Sequence, residues 1–159
     1  MGKSNKQQLP HNVLKKFRII FGSVRLHFRE IEQSCGVTGS QLWIMQEVAK
    51  APGVGVSELA DRLSIHQSTC SQLVEKLVVR RLVSKERSQQ DQRRVGLRLT
   101  AEATALMKIA PGPAEGILPE ALSALSVHTL GELDSLLEKL IEQLKVRDDR
   151  LGEKPLSDM

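Results

Sequence analysis

The residues best suited to chemistry are polar side chains on one face of a helix predicted from Gln67 or Ser68 to about Arg81. Short hydroxyl and amide groups can hydrogen-bond base edges in the major groove of DNA, and glutamine can pair with adenine through two bonds. An ordinary solvated face has a similar composition, so the prediction depends on the neighbouring segments. The candidates for base or phosphate contacts are Gln67, Ser68, Thr69, Ser71, Gln72 and Lys76.

A strongly basic segment follows this helix. Residues 80–100 carry a net charge of +5, although the whole chain carries only +4, so the basic excess is concentrated where phosphate binding would need it. An arginine at a hairpin tip can enter a narrow minor groove. Asp91 is expected to orient the guanidinium of Arg93, although a weak surface ion pair is the alternative. The residues of the hairpin predicted to take part in DNA binding are Lys85, Arg87, Asp91, Arg93 and Arg94. Arg98 either contacts a phosphate or lies on a solvated face of its strand.

The elements around these residues form a recognisable order. A short helix over residues 56–63, with Ser57 as its expected N-cap, precedes the polar helix, and residues 64–66 separate the two. Strands are predicted over 82–86 and 95–99, joined by a wholly polar tip. This order predicts a winged helix-turn-helix, in which the second helix lies in the major groove and the hairpin is the wing. The lobe is expected to span residues 37–111.

Two flanking helices carry more apolar surface than one small lobe can cover. The first, over residues 12–34, has apolar residues at heptad spacing and a second apolar flank, and the last, over residues 129–146, has a leucine-rich stripe. We expect a second copy of the chain to pack against these apolar faces. We therefore predict a mainly α fold (α+β) with a small β-hairpin wing, a helical dimerisation region over 10–36 and 112–147, and disordered ends at 1–9 and 148–159.

The ordered motifs resemble the MarR family of bacterial regulators. They are Val56-Ser57-Glu58-Leu59-Ala60, then Ser68-Thr69-Cys70-Ser71-Gln72-Leu73-Val74-Glu75-Lys76-Leu77, Leu82-Val83, Asp91-Gln92-Arg93-Arg94 and Leu99-Thr100. The resemblance implies a homodimeric repressor whose two lobes straddle a pseudo-palindromic operator and which a small aromatic ligand can release. The chain departs from the family pattern at Ala103, where glycine is common, at Gln72, where a basic residue is common, and at Pro111-Gly112-Pro113.

A few residues suggest additional functions. Guided by the resemblance, His27 and Trp43 are candidates for the lining of an effector pocket, although packing is the commoner role for such residues. Cys35, at a helix end, makes a redox-responsive regulator an alternative, whereas Cys70 lies on the inward face and is expected to be a small core residue.

The remaining composition favours a non-enzymatic protein of the cytoplasm. The sequence has neither a paired metal-ligand motif nor a catalytic elbow or phosphate loop, so we predict no enzyme activity, no metal and no cofactor. It also has no apolar signal core and no run long enough to span a membrane. A winged-helix module that binds protein instead of DNA remains a rival, but it predicts an acidic or apolar wing.

Overall fold

The computed structural model describes residues 2–159, and within them it confirms a mainly helical fold with one antiparallel hairpin. The helices are α1 (Gly2–Cys35), α2 (Gly39–Lys50), α3 (Val56–Leu63), α4 (Gln67–Val79), α5 (Ala101–Ile109), α6 (Ile117–Ser123) and α7 (Val127–Glu142). The strands are β1 (Val83–Arg87) and β2 (Val95–Leu99), and two short 3₁₀ helices, Asp149–Glu153 and Leu156–Asp158, follow α7.

The junction between α1 and α2 is fixed by local signals in the sequence. Gly36 ends the first helix with a positive φ of 66°, which glycine adopts without a steric penalty. Thr38 then caps α2 in a reciprocal capping box with Gln41. This arrangement holds the start of α2 rigidly beside the end of α1.

The core of the lobe lies where α2, α3, α4 and the hairpin meet. Five positions of α4 are predicted by their helical spacing to face inward, and four of them are buried: Cys70, Leu73, Val74 and Leu77. The fifth, Val78, is half-buried. Leu97 of β2 is also fully buried and pairs with Val54, which adds a short third partner to the hairpin. Burial of one face of α4 therefore sets which of its side chains point outward.

Several element boundaries differ from the sequence prediction. The N-cap of α3 is Gly55, not Ser57, and it makes no side-chain cap bond. α7 begins before the predicted residue 129, because Ser126 caps it by accepting a hydrogen bond from the Thr129 amide. Thr100 caps α5 by accepting a hydrogen bond from the Ala103 amide.

The structure assigns helical segments near both ends of the chain, for which disorder was predicted. α1 extends to Gly2 through a stretch rich in lysine and glutamine, which are good helix formers. The two 3₁₀ helices lie at the C-terminal end; Pro155, between them, is buried, and Ser157 of the second bonds to α2. Contacts distant in sequence order this tail, and local composition does not reveal them.

Two helices leave apolar faces uncovered. The first two-thirds of α1 expose apolar side chains, and Phe21 is 61% exposed. α7 has no buried residue, and Leu140 is 42% exposed within its leucine-rich stripe. These surfaces lie in the segments predicted to form a helical dimerisation region. Across residues 2–159, no helix has both the length and the apolar character needed to cross a membrane.

Candidate nucleic-acid interface

The start of α4 is built around His66. This residue is the N-cap, and its Nδ1 lies 3.2 Å from the Ser68 amide, which donates to it, and 2.7 Å from the Ser68 hydroxyl. The side chains of Gln67 and Ser68 are exposed beside it. The cap therefore holds the first turn of α4 in place and presents polar groups to solvent.

The outward face of α4 contains the predicted base-contacting residues. Gln67, Ser68, Ser71, Gln72 and Lys76 are exposed, whereas Thr69 is half-buried. Because the opposite face is packed into the core, these side chains have a common direction. They supply donors and acceptors of the kind that recognise base edges.

Glu75 lies within the candidate interface, and the sequence reasoning did not single it out. It lies on the exposed side of α4 and forms an ion pair with Lys85 of β1. The pair links α4, the candidate recognition helix, to the wing, and it offsets an acidic charge that would repel phosphate. Its two members lie ten residues apart on different elements, so helical spacing alone could not identify the contact.

The strands of the wing place their charges at defined positions. Arg98 of β2 lies opposite Ser84, and its Nε is 2.6 Å from the Glu86 carboxylate on the neighbouring strand. Of the two roles predicted for Arg98, the structure supports the solvated strand face. Arg87 is exposed at the last position of β1, next to the tip.

The tip of the wing corrects the role predicted for Asp91. Its Oδ1 accepts a hydrogen bond from the backbone amide of Arg93 at 3.0 Å, and its other oxygen lies 3.8 Å from Nε of Arg94. Asp91 thus shapes the turn and sits nearer the guanidinium of Arg94 than that of Arg93. The Arg93 side chain is exposed, and no carboxylate of residues 2–159 forms an ion pair with it.

The base of the wing is anchored on the turn between α2 and α3. The Gly53 amide donates to the Leu97 carbonyl at 2.8 Å, and the Leu97 amide donates to the Val54 carbonyl at 2.9 Å. A Cβ at Gly96 would lie 2.6 Å from the Gly53 carbonyl oxygen. Only glycine allows this approach, so Gly96 is a positioning residue that the sequence analysis did not single out.

The two residues predicted to line an effector pocket occupy different environments. Trp43 lines a cavity of about 110 Å³ together with Phe28, Leu63 and Ile65. His27 is buried and lies outside that lining, with its Nε2 2.9 Å from the Pro113 carbonyl oxygen. The structure therefore places Trp43 at a cavity and His27 against the connection between α5 and α6.

Neither thiol is in a setting that favours the reactive thiolate. Burial raises the pKa of Cys35, whose Sγ donates to the Ile31 carbonyl at 3.0 Å, and burial raises the pKa of Cys70 to about 11. Within residues 2–159, no three His, Cys, Asp or Glu side chains are grouped closely enough to hold a metal ion.

Known proteins share both this fold and part of the sequence. Residues 36–94 match the model of the MarR family. The HTH-type transcriptional repressor MdtR of Bacillus subtilis is 22% identical over 135 residues, which cover 85% of this chain and 87% of MdtR. Among solved structures, the YusO protein of B. subtilis has a TM-score of 0.54 at 22% identity, covering 87% of this chain and 98% of YusO. The MepR–DNA complex of S. aureus has a TM-score of 0.54 at 21% identity, covering 81% and 94% respectively.

Proposed function

We propose that the chain is a MarR-type transcriptional regulator that binds double-stranded DNA as a homodimer and represses transcription, since residues 36–94 match the model of that family and a named repressor is similar over most of the chain. The observation that carries this proposal is the exposed polar face of α4 beside a basic hairpin whose tip presents Arg93, an arginine with no ion-pair partner among residues 2–159. A helix of this kind fits the major groove, and a basic tip suits the minor groove. MepR, which has the same fold, was solved bound to DNA, and MdtR is named a repressor.

In this proposal the helix and the wing have different tasks. Gln67, Ser71 and Gln72 have free outward side chains for base edges, while Ser68 and Thr69 lie nearer the capped turn and suit phosphate. Arg93 and Arg94 enter the minor groove, and Asp91 fixes the turn that carries them. Lys76 and Arg87 add positive charge along the phosphate backbone, whereas the charge of Lys85 is offset by its ion pair with Glu75.

The dimer is proposed from the uncovered faces of α1 and α7. Their exposed apolar side chains, including Phe21 and Leu140, would be costly to leave in water over so large an area. A two-fold pairing of these helices covers both faces and places two lobes side by side. Two lobes related by a two-fold axis require a pseudo-palindromic operator.

Release from DNA by a small aromatic ligand is also part of the proposal. The aromatic side chains of Phe28 and Trp43 line a cavity between α1, α2 and the C-terminal residues, and we assign the ligand to this cavity. Its volume of about 110 Å³ is below the roughly 150 Å³ of a cavity known to hold benzene, so a ligand must displace some of the lining.

The two rival functions receive less support. A protein-binding winged helix predicts an acidic or apolar wing, whereas Arg87, Arg93 and Arg94 are all exposed at this tip. Redox control through Cys35 needs a thiolate, and burial raises the pKa of that thiol.

The deciding experiment is footprinting of the DNA that flanks the chain's own coding sequence, with sedimentation of the protein–DNA complex. We expect protection of a two-fold site by two copies of the chain. Gln72→Ala should change the ranking of operator variants, whereas the control Gln33→Ala, an exposed glutamine on α1, should leave it unchanged. Failure to protect any two-fold site would contradict the proposed function.

A further inference from the structure

The last residues of the chain form a strap that crosses from α2 to α4. We call residues 149–159 the C-terminal strap. Its Ser157 Oγ accepts a hydrogen bond from the Ser40 amide at 2.9 Å, and its Asp158 carboxylate accepts one from the Ser40 hydroxyl at 2.8 Å. Ser40 is only 1% exposed and lies in the first turn of α2. The strap thus satisfies polar groups of a buried helix start and places a carboxylate at its positive end.

The same strap forms one wall of the cavity at Trp43. Pro155, Leu156 and Ser157 line the cavity from the strap side, and Phe28 and Trp43 line it from the helices. Pro155 is buried, whereas Leu156 keeps 39% of its surface exposed. Removing this wall would enlarge a space that is otherwise too small for an aromatic ring.

The strap also contacts the start of the recognition helix. The carbonyl oxygen of Glu153 accepts a hydrogen bond from the His66 amide at 3.3 Å, and His66 is the N-cap of α4. One short segment therefore bonds to the first turn of α2, closes the cavity and holds the cap of α4.

We propose that the C-terminal strap is a displaceable lid over the cavity at Trp43, and that its release is coupled to the N-terminus of the recognition helix. The strap is held by a few hydrogen bonds and one buried proline, and such a lightly attached segment opens at a small part of the cost of global unfolding. A ligand that enters the cavity competes with the strap. When the strap leaves, His66 loses the Glu153 carbonyl.

Amide hydrogen exchange of the full chain tests the coupling without DNA. Asp158→Ala removes the bond to the Ser40 hydroxyl, and we expect the Ser40 and His66 amides both to exchange about fivefold faster, the effect of losing one hydrogen bond. The matched control is Asp149→Ala, which also removes one negative charge from the strap. It breaks an ion pair with Arg147 and leaves the bonds to Ser40 in place. Faster exchange at Ser40 alone, or at neither amide, would overturn the coupling.

A chain that ends at Asp148 tests the lid. Trp43 is the single tryptophan of the sequence, so its quenching by acrylamide reports directly on the cavity wall. We expect about twofold stronger quenching at unchanged helix content; unchanged quenching would overturn the lid. If this shortened chain does not fold, the exchange comparison still decides.

The consequence for DNA rests on the proposed function and is measured separately. The chain ending at Asp148 should bind its operator about fivefold more weakly, the size expected for a weakened N-cap. Operator affinity equal to that of the full chain would refute transmission to DNA. If the full chain itself binds no operator, the proposed function fails, while the exchange and quenching results still decide whether the strap is a lid.

Discussion

Arg93 at the tip of the wing should carry a measurable part of the salt dependence of DNA binding. Its side chain is exposed and has no ion-pair partner within residues 2–159, so its charge is available to a phosphate or to the minor groove. The perturbation is Arg93→Ala. Because Asp91 holds the turn through the backbone amide of residue 93, which alanine keeps, the hairpin should retain its shape.

The expected magnitude follows from counterion release. Each phosphate contact contributes about −0.9 to the slope of log affinity against log salt, and a dimer has two wings, so the slope should become shallower by about 1.8. Over a change from about 50 to 200 mM salt, the wild-type chain should lose about twelvefold more affinity than the variant. Fluorescence anisotropy with a labelled operator across that salt range measures both slopes.

Arg98→Ala is the matched control, because it removes an identical charge from the same hairpin. The Arg98 guanidinium already lies 2.6 Å from Glu86, so its charge is largely neutralised in the free protein. Arg98→Ala also leaves the Glu86 carboxylate without this partner, and its negative charge can then only repel phosphate. A smaller change of slope in this control than in Arg93→Ala is therefore a stringent result. Equal slope changes in the two variants would refute the reasoning, since net charge alone would then explain the effect.

Four further predictions concern the dimer, the wing, and the two cysteines. Leu140→Glu should shift the chain from dimer toward monomer in analytical ultracentrifugation, because it places a charge in the uncovered face of α7. Gly96→Ala should destabilise the protein by about 1–3 kcal/mol in urea unfolding, since its Cβ would lie 2.6 Å from a backbone oxygen. Burial raises the pKa of Cys70 from 9.0 to about 11, so the unfolded chain ionises first and stability should fall from pH 9 to 11. Cys70→Ser should show a smaller fall, because only Cys35, whose pKa burial also raises, then contributes as a thiol. Peroxide should affect the operator affinity of Cys35→Ser and of the wild-type chain equally, because the pKa of Cys35 is raised.

Elements governed by local sequence were predicted well. The buried face of α4 follows from the spacing of Cys70, Leu73, Val74 and Leu77, because a helix brings such positions onto one side. The cap of α5 by Thr100 and the end of α1 at Gly36 also depend on local residue type.

Features that depend on competing or distant partners were not predicted. The Asp91 side chain bonds the amide two residues onward, since an aspartate in a turn reaches that backbone donor at less entropic cost than a long arginine side chain. The strap is ordered by Ser40, more than a hundred residues away in sequence. The strap is polar and has no apolar run beside it, so its local sequence does not indicate such a contact.

The ion pair between Glu75 and Lys85 bears on which element selects the DNA sequence and which provides affinity. It removes Glu75 as a source of repulsion to phosphate, but it also engages Lys85, which sequence reasoning counted as a free DNA contact. Apart from Lys76, the recognition face is then close to neutral, and the charge of the wing that has no ion-pair partner within residues 2–159 lies at the tip, with Arg87 and Arg93. Neutral hydroxyl and amide groups are attracted only weakly to phosphate, but they discriminate among bases. Unpaired arginines strengthen binding to DNA of any sequence, because every phosphate carries the same charge. We therefore expect substitutions on α4 to change which operator is bound and substitutions at the tip to change how tightly every operator is bound.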